Sequence, residues 1–119
     1  MKKLTIIIMF LCAISTLFFG CSNQQKYEVV ALDMGNGAVY PLDTNQDYEN
    51  FYRNLDFGVK YHVFCGSEEK QEMVKMTLMR APIANKGTRS VNLGIEKTHL
   101  KESKFENENV YIFEIIFEK

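Results

Sequence analysis

The spacing of hydrophobic and polar positions changes several times along the chain. Leu4 to Phe19 holds 13 apolar residues in 16, with no charge and no polar face. Tyr27 to Asp33 is a mixed apolar run that suits a strand. Asn36-Gly37 follows, a pair that tolerates positive φ and predicts a two-residue type I′ hairpin turn. Ala38 to Leu42 is then the return strand. Thr44-Asn45-Gln46-Asp47 has the form of a helix-capping box with Asp in place of Glu. Behind it Tyr48, Phe51, Tyr52 and Leu55 follow the i, i+3, i+4, i+7 rule, so the spacing predicts an amphipathic helix of about three turns, stopped by Gly58. Its apolar face is aromatic and is expected to lie on a sheet.

From Val59 the period becomes two. Val59, Tyr61 and Val63 alternate with Lys60, His62 and Phe64. Val91, Leu93 and Ile95 alternate with Asn92, Gly94 and Glu96. Tyr111, Phe113, Ile115 and Phe117 define one face of a last strand over 110–117. Residues 97–109 read as a long polar loop with Leu100 and Phe105 as docking points. The segment 68–80 has two readings. Val74, Met76 and Leu78 align on one face of a strand, which is the expectation taken forward. Ser67 as a cap, Glu68 and Glu69 in a first turn, and Pro82 beyond Arg80 fit a helix instead.

The expected order is therefore β-β-α-β-β-β-β. It describes an α+β domain with one amphipathic helix on a mostly antiparallel sheet of five to six strands. A helix followed by a four-strand meander is similar to the cystatin-like arrangement, in element order only. The Gln-x-Val-x-Gly hairpin that cystatins present to proteases is absent, so the resemblance carries no activity.

The amino terminus adds a destination. Lys2 and Lys3 precede the apolar run, and Ser22-Asn23-Gln24-Gln25-Lys26 follows it. Positive residues, a short apolar core and a small-residue boundary form the tripartite export pattern. The run is short for a membrane-spanning helix. Its boundary, Phe18-Phe19-Gly20-Cys21, resembles the lipobox of bacterial lipoproteins. Gly20 fits the place before the cysteine, and Phe18 and Phe19 stand where that pattern has Leu and a small residue. The resemblance implies diacylglycerol on the Cys21 thiol, cleavage between Gly20 and Cys21, and acylation of the new amino group. Two or three acyl chains hold a protein on a bilayer where one does not. Plain secretion and an uncleaved anchor are the alternatives. The expected organisation is a cleaved leader over 1–20, a lipidated cysteine and tether over 21–26, and one domain over 27–119. In Gram-negative lipoproteins Ser at the position of Ser22 resembles the outer-membrane class; in other bacteria the anchor would lie in the cell membrane.

Composition narrows the function. The whole chain carries 14 basic and 15 acidic side chains, and without Lys2 and Lys3 the basic count falls to 12. A nucleic-acid partner needs a basic excess, so none is expected. Of three cysteines, Cys12 leaves with the leader and Cys21 takes lipid. Cys65 then has no disulfide partner and is expected to be buried.

Candidate chemistry is sparse. His62 and Cys65 are three apart on a strand and should point to opposite faces. Asp43-x-Asn45-x-Asp47 resembles the start of a calcium loop, but Tyr48 and Asn54 occupy the required Gly and Glu positions. No metal site and no cofactor are expected, and no nucleophile–base pair points to an enzyme. Met73, Met76 and Met79 read as core filling, with an adaptable contact stripe as the alternative. Tyr48, Phe51 and Tyr52, with Tyr61, could enclose an aromatic ligand pocket under the helix. The expectation is a lipid-anchored cell-envelope protein working by contact with an envelope protein, through open sheet edges and the 97–109 loop. A tethered small-ligand binding module is the second reading.

Overall fold

A computed structural model describes residues 26–83 and 87–119. The leader, Gly20, Cys21 and residues 22–25 lie outside the described residues. The fold is α+β, as the patterning predicts. Strands β1 (Val29–Asp33), β2 (Val39–Pro41), β3 (Lys60–Cys65), β4 (Arg89–Lys97) and β5 (Asn109–Ile116) form one antiparallel sheet in the order β2-β1-β3-β5-β4. Helices α1 (Asn45–Asn54) and α2 (Glu68–Met79) pack on one face of it.

The first hairpin forms where expected, with different turn chemistry. Only Gly37 takes a positive φ, 82°, and Asn36 does not. The Asp33 carboxylate accepts hydrogen bonds from the backbone N–H of Gly35 (2.7 Å) and Asn36 (3.1 Å). Asn36 Oδ1 accepts from Ala38 N–H at 2.8 Å. These side-chain acceptors stabilise a four-residue loop in place of the two-residue type I′ turn.

Helix α1 starts as its sequence predicts. Thr44 Oγ1 accepts from Asp47 N–H (3.1 Å), and the Asp47 carboxylate accepts from Thr44 N–H (3.0 Å). Phe51 is fully buried, and Tyr48, Tyr52 and Leu55 pack half-buried around it. The Phe51 ring meets Tyr61 edge-on at 5.1 Å between centroids, and Phe117 at 6.1 Å. Such geometry matches the positive ring edge to the negative face.

Residues 68–79 are a helix, which corrects the strand expectation for 68–80. Ser67 Oγ accepts from Lys70 N–H at 3.1 Å as the cap. Gln71, Val74 and Leu78 form the buried side. Three buried positions at helical spacing are too few to dominate the pattern, so alternation at 74, 76 and 78 imitates a strand. Topology also requires a crossover here. β3 is already flanked by β1 and β5, so the chain must cross a face of the sheet to reach β4. The four-strand meander therefore does not form. Met73, Met76 and Met79 are exposed, not core.

The sheet has a second apolar side. Val30, Phe64, Val110 and Ile112 are buried there under Tyr27, Leu100 and Phe105. The loop over 98–108 thus folds back as a cover, with Tyr27 N–H donating to Glu102 O (2.9 Å) and Lys104 N–H to Tyr27 O (2.7 Å).

Strand β4 departs from simple alternation. Asn92 lies opposite Phe113 and Gly94 opposite Ile112, leaving Leu93 as an extra residue. Val91 therefore shares a face with Glu114, while Ile95 shares the helix-covered face with Tyr111. The bulge puts Val91 and Ile95 on opposite faces, correcting the single stripe that the sequence suggests.

Candidate functional site

The four aromatic residues expected to enclose a pocket divide into two pairs. Phe51 and Tyr61 are fully buried core, so the space directly under α1 is filled. The Tyr61 hydroxyl accepts from Asp56 N–H at 2.8 Å, which satisfies it within the core. Tyr48 and Tyr52, one turn apart on α1, line the space between α1 and α2 instead.

That space is a groove with two hollows that share Asn45, Tyr48 and Thr77. The first, of about 350 Å³, lies between Asp43 and Tyr48 on one side and Lys70, Met73 and Thr77 on the other. The second, of about 460 Å³, is bounded by Tyr52, Arg80 and Pro82. Lys70 and Arg80 are ten residues apart on one helical segment, roughly 15 Å along its axis. Burial pushes the Tyr48 phenol up to about 12, reinforced by Tyr52, Cys65, Asp43 and Asp47. Burial raises Tyr52 as well. Both phenols remain neutral donors across the physiological range. The groove therefore offers neutral hydroxyls, a flexible thioether, a cation at each end and the carboxylates of Glu28 and Glu49.

The calcium-like acidic run is occupied by the backbone. The Asp43 carboxylate accepts from Val29 N–H (2.9 Å) and Glu28 N–H (3.1 Å), tying the start of α1 to β1. The Asp47 carboxylate accepts from Asp43 and Thr44 N–H. Among the described residues no three His, Cys, Asp or Glu side chains gather as a metal site.

His62 and Cys65 face opposite ways. Cys65 lies under the helices and His62 on the other side of the sheet, so they form no thiol–imidazole pair. Burial pushes the Cys65 thiol up to about 12, against a small opposing pull from Lys70. His62 instead meets Glu114 across the β3–β5 ladder, Nε2 to Oε1 at 3.2 Å. It also lines a hollow of about 360 Å³ with Leu32, Leu93, His99 and Leu100. The sequence carries no sign that His62 and His99 share this hollow, because loop folding brings His99 there.

No described helix is long and apolar enough to cross a membrane. Comparison with protein families, curated proteins and solved structures finds no match for this chain, so the reading of the site rests on its own geometry.

Proposed function

We propose that the chain is a lipid-anchored protein of the bacterial cell envelope that acts by protein–protein contact, as an assembly accessory, an inhibitor or a protective protein. The anchor is the Cys21 thioether, and Ser22 favours the outer membrane in a Gram-negative source. The observation that carries the contact reading is the exposed methionine row Met73, Met76 and Met79 on α2. Unbranched thioether side chains adapt to a partner's shape and are used on recognition surfaces. Exposed apolar side chains of this size, gathered on one helix, are costly to leave in water without a use.

The tether supports the same reading. Six peptide steps separate Cys21 from Tyr27, so covalent reach limits their separation to about 20 Å. Tyr27 is pinned to the 98–108 loop. That loop is then the membrane-proximal end, and the domain is held at high effective concentration toward its envelope partner.

The test is crosslinking in intact cells from a photoreactive group at Met76, with palmitate labelling in parallel. A specific partner is expected from the chain and not from a Met73→Lys/Met79→Lys variant that carries the same group at Met76. No label at Cys21 would remove the anchor, and no specific partner from folded protein would remove the contact reading.

The α1–α2 groove favours a second reading, a tethered binding module for a small ligand seated against Tyr48 and Tyr52. A thermal-shift screen of small polar and zwitterionic compounds, repeated with Tyr48→Ala, tests it. No compound raising the Tm of the unsubstituted chain would remove it.

A further inference from the structure

Strand β4 is an edge of the sheet, and every residue of it but Ser90 is exposed. It is nine residues long, and Val91, Leu93 and Ile95 are 55%, 38% and 55% exposed. A long apolar edge is a template for another strand. The opposite edge, β2, has three residues and ends at Pro41, a form that discourages pairing.

The bulge decides which strand fits. Residues opposite one another in an antiparallel ladder share a face. Pairing with β5 puts Ser90, Asn92, Ile95 and Lys97 on the helix-covered face. Arg89, Val91, Gly94 and Glu96 take the other face, and Leu93 lines the hollow on that side. The face pattern therefore reads the same in both directions about the Leu93–Gly94 peptide bond. A regular strand alternates strictly and can follow β4 only by leaving Leu93 unmatched, as β5 does. A strand with the same irregularity, run antiparallel, matches along its whole length.

We propose that β4 pairs with β4 of a second copy of this chain, antiparallel about the Leu93–Gly94 bond, to form a continuous ten-stranded sheet. In this register Val91 lies opposite Glu96 of the other copy, Asn92 opposite Ile95, and Ser90 opposite Lys97. Arg89, which pairs with Glu118 of its own chain at 2.8 Å, is also diagonal to Glu96 of the other copy, within reach of two long side chains of opposite charge. No like charges stand directly opposite. Leu93 packs beside its symmetry mate, where Gly94 has no side chain and a Cβ would meet no atom within 4 Å. A two-fold contact of this kind closes on itself, so it yields a dimer and not a fibre. The pairing is independent of lipid on Cys21.

The full chain in detergent, followed by light scattering and sedimentation over a range of concentrations, tests this. The expected result is a dimer. Leu93→Lys sets two ammonium groups across the axis and weakens it by about tenfold or more, with an unchanged circular dichroism spectrum. Arg89→Glu and Glu96→Arg each weaken it by about threefold, and the double reversal restores it. A monomer at every concentration overturns the proposal, as does a dimer indifferent to Leu93→Lys. Failure of the double reversal to restore affinity overturns the register.

Discussion

The ring of Phe105 occupies the space that a side chain at Gly66 would need. A Cβ built at Gly66 runs into three ring atoms of Phe105. Gly66 directly follows β3, and Phe105 comes from the loop that covers the far side of the sheet. The contact therefore joins the loop to the central strands, and it requires glycine for close approach rather than for a positive φ.

Gly66→Ala should destabilise the domain by about 1–3 kcal/mol, the range for overpacking a filled site. Phe105→Ala should also destabilise it by removing half-buried apolar area. The double variant should lose less than the sum, because the missing ring leaves room for the methyl. Urea unfolding of the four proteins checks this; strict additivity would mean that the two sites do not meet.

Asp33, the last residue of β1, is buried beside the first hairpin loop. Its Oδ1 accepts from the N–H groups of Gly35 and Asn36, and Oδ2 is buried with no hydrogen-bond partner among the described residues. Asp33→Ala removes the charged acceptor of two hydrogen bonds that hold the hairpin loop and should cost about 1–3 kcal/mol. Asp33→Asn retains an acceptor at Oδ1 and should cost less. Thermal unfolding of both variants gives the order.

Cys65, Tyr48 and Tyr61 share a dependence on high pH. Burial holds each folded-state value at about 12, against ordinary values of 9.0 for the thiol and 10.0 for the phenols. Near neutral pH all three are protonated whether the chain is folded or unfolded. As pH rises through the ordinary values, the unfolded chain loses these protons first, so stability falls between about pH 9 and 12. Urea unfolding across that range should show a declining midpoint. Iodoacetamide at pH 8 should leave Cys65 unmodified in the folded chain and modify it in urea, as read by mass spectrometry of its peptide.

Ser67 supplies the acceptor for the first turn of α2. Ser67→Ala should cost about 1 kcal/mol and Ser67→Gly only a few tenths. Because Val74 and Leu78 hold the helix to the sheet, both variants should retain native circular dichroism with a lowered Tm.

Local signals made much of the fold legible. The capping box at Thr44 and Asp47, the aromatic spacing from Tyr48 to Leu55, and the alternation over 110–117 are complete within one short segment. Each appears in the structure as the element it predicts. The fate of Leu100 and Phe105 was also legible, because two apolar residues in a polar loop gain by docking. Of the groove, only the Tyr48 and Tyr52 wall could be read in advance. Its other wall depends on α2 lying beside α1.

The sequence by itself determined those elements whose evidence is local: caps, turns, and a periodicity long enough to favour one secondary structure. It also determined that Cys65 and His62 point apart, since strand geometry alone sets that. Tertiary structure decided the rest. Residues 68–79 became a helix because β3 was flanked on both sides and the chain had to cross the sheet. The methionines became surface because only Gln71, Val74 and Leu78 face inward. Val91 and Ile95 parted because pairing with β5 leaves Leu93 as an extra residue, and a register shift is a property of two strands together.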